Sequence, residues 1–126
     1  MTGKAAAPFL AAALLLSTML AASGAEQKLT GVEIQAALTG NSVHGIWGES
    51  EYKSYFGSDG TTIYHAKGRD PTQGRWRTTD GQYCSTWRDV ESCYDLYRNG
   101  DEIIWFVPET GHRYPSSLVK GRDTDF

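Results

Sequence analysis

The chain has 126 residues, 40% hydrophobic and 12% aromatic, with a formal net charge of −3. Twelve basic and fifteen acidic residues are scattered without a basic run, so there is no footprint for neutralising phosphates and nucleic acid is excluded as a partner. Two cysteines and three histidines lack the spacing of a structural zinc site, which leaves no metal and no cofactor expected.

The first segment reads MTGKAAAPFLAAALLLSTMLAASGAEQ. Lys4 supplies the positive end, Ala5 to Ala22 the apolar run, and Ser23-Gly24-Ala25 a small-residue cleavage site before Glu26. That order is a secretory signal peptide over residues 1–25. An uncleaved anchor is the alternative, because the run approaches spanning length, but Pro8 and the alanine content favour removal. Ser23 stands where a lipobox would need cysteine, so no lipid anchor is expected. The remainder is expected to be periplasmic or secreted, with no stable membrane insertion. It is short enough for one small domain, residues 26–121, followed by a flexible tail at 122–126.

Leu29 to Gly40, LTGVEIQAALTG, predicts a helix over about Thr30–Thr39. Thr30 and Glu33 have capping-box spacing, and Leu29 and Ile34 fit the hydrophobic staple. Ile34, Ala37 and Leu38 share a face, and Gly40 suits a C-terminal cap. So short a helix must dock its apolar face on something larger.

After Gly40 the chain alternates runs of aromatic and β-branched residues with turn pairs at Asp59-Gly60, Asp80-Gly81, Asn99-Gly100 and Thr110-Gly111. Asn-Gly and Asp-Gly suit two-residue type I′ hairpins. Strands are expected near Val43–Gly48, Glu51–Phe56, Thr61–Lys67, Gly74–Thr79, Gln82–Arg88, Val90–Arg98, Glu102–Val107 and Arg113–Val119. Pro71 keeps Gly68 to Gln73 a loop. The fold class is therefore mainly β: one N-terminal helix, then an antiparallel up-and-down meander of about eight strands closing into a small barrel. An open, strongly curved sheet capped by the helix is the alternative.

The cysteines follow from the hairpins. A turn at Asp80-Gly81 sets Trp76 opposite Ser85 and Arg77 opposite Cys84. A turn at Arg88-Asp89 sets Tyr83 opposite Tyr94 and Cys84 opposite Cys93. A turn at Asn99-Gly100 sets Leu96 opposite Ile103, Tyr94 opposite Trp105 and Cys93 opposite Phe106. Directly opposed cysteines on neighbouring strands reach bridging distance in a closely spaced pair, and export makes the disulfide chemically sensible. Alternation then puts Trp76, Tyr83, Trp87, Val90, Tyr94, Leu96, Ile103, Trp105, Val107 and Tyr114 on the core face. Arg75, Arg77, Cys84, Glu91, Cys93, Asp95, Tyr97, Glu102 and Arg113 fall on the other face, with Ile104 and Phe106.

With those residues identified, the chain resembles a family of small exported alphaproteobacterial proteins classed as a domain of unknown function. The shared features are the Leu29-Thr30-x-x-Glu33-Ile34 helix, Gly40-Asn41, Tyr55-Phe56-x-x-Asp59-Gly60, Gly74-x-Trp76, Cys84-x-x-Trp87, Cys93-Tyr94 and a late hairpin glycine. The resemblance spans roughly residues 29–121 and implies export and architecture, with no activity attached.

Catalytic patterns are sparse. There is no nucleophile elbow, and Gly57-Ser58-Asp59-Gly60 reads as a turn. His44, His65 and His112 lie on three segments without metal-binding spacing. Glu49/Glu51 resembles a glycosidase pair without a domain large enough for a cleft, and Asn99 to Glu102 lacks the length of a calcium loop. Trp76, Trp87 and Trp105 form either a core stripe or a stacking platform. Arg75 and Arg77 beside the Cys84–Cys93 disulfide, with Tyr97 and Phe106, form the candidate partner-binding surface. The expected function is a non-enzymatic exported barrel that binds another envelope protein or cell-envelope component. A small-ligand carrier with a pocket in the barrel mouth and a minimal hydrolase are the alternatives. Six inward rings, Trp76, Trp87, Trp105, Tyr83, Tyr94 and Tyr114, predict a filled interior with no room for a ligand.

Overall fold

The structure, a computed structural model, describes residues 25–126. The secretory leader read over residues 1–25 lies, but for Ala25, outside the described residues. A two-residue strand, β1 (Gln27–Lys28), comes first and was not among the expected elements. The predicted helix follows as α1 (Gly31–Leu38). Thr30 Oγ1 accepts the Glu33 amide at 3.2 Å, and Glu33 Oε1 accepts the Thr30 amide at 2.8 Å, which is the full capping box. Leu29 and Ile34 are both buried.

Eight strands complete the fold: β2 (Ser42–Trp47), β3 (Ser50–Phe56), β4 (Thr61–Ala66), β5 (Thr72–Thr78), β6 (Tyr83–Trp87), β7 (Val90–Asn99), β8 (Glu102–Val107) and β9 (His112–Val119). Each pairs antiparallel with the next, and β9 returns to β2 from Ser42↔Val119 to Gly45↔Ser116. The sheet is thus a closed barrel. The extra strand β1 adds to β7 at Tyr97 and Arg98, where β7 runs on past the end of β6.

The register around the disulfide matches the hairpin reasoning. Trp76 faces Ser85, Arg77 faces Cys84, Tyr83 faces Tyr94 and Cys84 faces Cys93. The β7–β8 hairpin differs. Asn99 pairs with Glu102, so Gly100-Asp101 forms the tip and Leu96 faces Trp105, not Ile103, while Asp95, not Cys93, faces Phe106. Positive φ falls on Gly100 (64°) and not on Asp101, the pattern of a turn with glycine first, which moves the tip one residue along. The move shifts partners by two positions, so every side chain keeps its face. Other turns depart from the two-residue type I′ expectation too. Asp59-Gly60 belongs to a three-residue loop with Gly57 donating to Thr61 O at 2.7 Å. Asp80-Gly81 turns without positive φ, and Thr110-Gly111 ends a four-residue loop between Val107 and His112.

Helix α1 closes one end of the barrel. Ile34 and Leu38 are fully buried in a cluster with Phe56, Trp76, Tyr83, Leu96, Ile103 and Trp105. Gly31 donates to Asp80 O at 2.8 Å, and a Cβ there would overlap the Thr79 carbonyl, so only glycine lets the helix start seat on the β5–β6 turn. At the other end Val90, assigned to the core face by alternation, is 66% exposed because it stands on the open rim.

Residues 122–126, expected as a flexible tail, are held against the outer face of β2–β4. Ser42 Oγ donates to Gly121 O at 2.8 Å and accepts from Asp123 N at 2.9 Å. His65 Nδ1 meets Thr124 O, Lys53 Nζ donates to Asp125 O at 2.6 Å, and Phe126 packs edge-on to His65. The cause is a cross-strand row, His44↔Lys53↔His65, whose polar hydrogens face the tail carbonyls. That row exists only once three strands are paired, so the tail sequence alone gives no sign of it.

Candidate functional site

The interior is not filled. A cavity of about 810 Å³ opens at the end opposite α1, within the size range of small-molecule sites. The six inward rings expected to fill the interior leave this space open. Trp76, Tyr83 and Trp105 do pack at the plugged end, around Phe56 at 5.6, 5.7 and 6.0 Å between ring centroids. The remaining rings stand against the wall.

Small inward residues explain the space. A Cβ on Gly74 would come within 2.7 Å of the Trp87 ring, and one on Gly45 within 2.8 Å of the Tyr52 side chain. Both rings therefore lie flat over strand glycines instead of crossing the lumen. Ser54, Thr62 and Ser85 occupy further inward positions along the cavity wall. A filled core would place branched aliphatic side chains there.

The wall is aromatic toward the mouth. Tyr52 and Tyr64 stack at 5.1 Å, Trp87 meets Tyr64 edge-on at 6.3 Å, and Trp47 stacks on Tyr114 at 4.2 Å on the rim. Deeper in, the polar groups are hydroxyls held neutral. Burial pushes the Tyr83 phenol well above its ordinary value, partly offset by hydrogen bonds with Ser85 and Thr62. Burial likewise raises Tyr52. Trp87 Nε1 donates to Ser85 Oγ at 3.1 Å and Trp105 Nε1 to Ser116 Oγ at 2.9 Å, so the indoles are satisfied. Arg88 is the one charged residue on the lining. It sits in the two-residue β6–β7 turn, where Arg88 and Asp89 both take positive φ, 52° and 67°.

The residues singled out from the sequence fall mostly elsewhere. Cys84 and Cys93 are bonded, with Cα atoms 4.0 Å apart, on the outer face. Arg75, Arg77, Tyr97 and Phe106 share that face, and the two arginines already have partners. Arg77 makes a two-pronged pair with Glu91 at 2.9 Å on each prong, which raises Arg77 and lowers Glu91. Arg75 donates to Asp59 O at 3.1 Å. Tyr97 packs edge-on to Phe106 at 6.0 Å and lies beneath Arg113, itself paired with Glu26. His44 and His65 hold the tail, while His112 neighbours Tyr114 at the mouth. Glu51 pairs with Lys67, and Glu49 stands in the β2–β3 turn. Among the described residues one group has metal-ligand proximity, Cys84, Glu91 and Cys93, and its sulfurs are taken by the disulfide.

Comparison with protein families, curated proteins and solved structures finds no match. The site rests on its own geometry. Of the tryptophan stripe, Trp87 lines the cavity near the mouth and Trp76 is core. Trp47, Tyr64, Tyr52 and Arg88 were not picked out by sequence reasoning. The signal available for them was Gly45, Ser54, Thr62, Gly74 and Ser85 recurring at inward positions, where a packed barrel needs volume.

Proposed function

We propose that this protein is a non-enzymatic carrier that binds a small, flat, mostly apolar molecule in the barrel mouth, after export to the periplasm or the exterior. The observation that carries this reading is the open cavity of about 810 Å³ with rings on its wall and neutral hydroxyls deeper in. Flat rings on a wall offer stacking area at little conformational cost, and a few hydroxyls fix orientation. The disulfide is compatible with an oxidising compartment. Among the described residues no helix is long and apolar enough to cross a membrane. The outer patch of Arg75, Arg77, Tyr97 and Phe106 is a weaker candidate, because contacts within the chain already satisfy its cations.

The test is titration of the protein with two- and three-ring aromatic probes, read by quenching of tryptophan fluorescence. Saturable one-to-one quenching is expected, weakened at least tenfold in Trp87→Ala, which removes a ring from the cavity wall. A flat response to the whole probe series would overturn the carrier reading.

A further inference from the structure

Resting on that carrier reading, we infer that the ligand is an acid: an apolar body seated in the cavity with a carboxylate held at the mouth by Arg88. Of the cavity-lining side chains only Arg88 is charged. The deeper wall carries neutral phenols, hydroxyls and rings, which would leave a buried carboxylate without a cation and make its desolvation prohibitive. An anionic group can therefore be accommodated only at the rim, and the apolar end must point inward.

Arg88 is also placed to receive it. Of the ten other lysines and arginines of the described chain, five are ion-paired, Lys28 with Asp95, Lys53 with Asp123, Lys67 with Glu51, Arg77 with Glu91 and Arg113 with Glu26, and Arg75 and Arg98 donate to backbone carbonyls. Among the described residues Arg88 makes no ion pair or side-chain hydrogen bond, and its guanidinium keeps its fork of donors for a carboxylate. Its backbone points the same way. Arg88 and Asp89 are the two non-glycine residues at positive φ among those described. An Asn-Gly pair would make this turn without strain, yet the position carries an arginine on the edge of a cavity, and strain retained at such a place is a mark of function. The turns at this end also carry Glu49, Asp70, Asp89 and Glu109 against Arg69, but none of these lines the cavity, so Arg88 is the charge that a seated ligand meets.

The experiment compares naphthalene and anthracene carboxylic acids with their methyl esters on the full folded protein by calorimetry, in wild type, Arg88→Gln and Arg77→Gln. The expected result is an acid-to-ester affinity ratio of at least ten in wild type and in Arg77→Gln, whose guanidinium lies on the outer face, falling to near one in Arg88→Gln. Urea midpoints show whether each variant is folded. Equal binding of acid and ester by wild type would overturn the acid assignment and leave the carrier reading standing. A ratio that survives Arg88→Gln would overturn the role of Arg88. Binding of neither class would overturn both the inference and the carrier reading beneath it.

Discussion

Tyr83 shows how one residue serves both the core and the cavity. Its ring meets Trp105 edge-on at 4.8 Å and Phe56 at 5.7 Å, while its hydroxyl end reaches Ser85 and Thr62 on the wall. Burial raises its pKa above the ordinary 10.0. The folded state therefore keeps this proton after an unfolded chain has lost it. The contribution is complete below about pH 10, and stability declines as pH rises from there toward the raised folded value. Urea midpoints measured from pH 8 to 11 should fall above pH 10, and Tyr83→Phe should fall less steeply over that range. Parallel curves for the two proteins would refute it. At this scale the sequence is a partial guide. Alternation put Tyr83 inward, because alternation reports direction. It said nothing of where the ring lies once inside, which depends on whether the opposing strand offers a glycine to lie against.

Hairpins set what was legible at the scale of elements. The β6–β7 register came out correctly because Arg88-Asp89 leaves one two-residue solution that opposes Cys84 and Cys93. The β7–β8 register shifted because Asn99-Gly100-Asp101 accommodates two neighbouring turns, and the choice rests on which φ angle is positive. Strand β1 and the tail strap were invisible for a different reason. Each depends on a distant partner, Tyr97-Arg98 for one and the His44, Lys53, His65 row for the other, with no local pattern to show it. The disulfide allows a direct test. It closes a loop between residues nine apart, so Cys84→Ser with Cys93→Ser should lower stability by about 2–3 kcal/mol in the chain-entropy account. Far-ultraviolet dichroism should stay unchanged, because the β6–β7 ladder does not depend on the bond. A spectrum that loses its strand signal would mean the bond holds the register itself.

Across the whole molecule the two ends of the barrel divide the work. At the closed end α1, the β5–β6 turn and the rings around Phe56 make the dry core, with Ile34 and Leu38 fully buried. At the open end Trp47 is 42% exposed and Val90 more so, and the wall residues line a cavity. Stability and binding should therefore separate by position. Ile34→Ala removes buried volume and should cost about 2–5 kcal/mol, with probe affinity unchanged within twofold wherever the protein remains folded, since Ile34 does not line the cavity. Trp47→Ala removes a rim ring stacked on Tyr114 and should cost only about 0.5–1.5 kcal/mol, while weakening a flat probe at least tenfold. Urea midpoints and calorimetric titrations on these two variants give four numbers, and the larger effect should change places between them. If instead affinity falls with stability in Ile34→Ala, the plug shapes the cavity and the ends are coupled. That coupling would follow if the Phe56, Tyr83 and Trp105 floor shifts when the helix beneath it loosens.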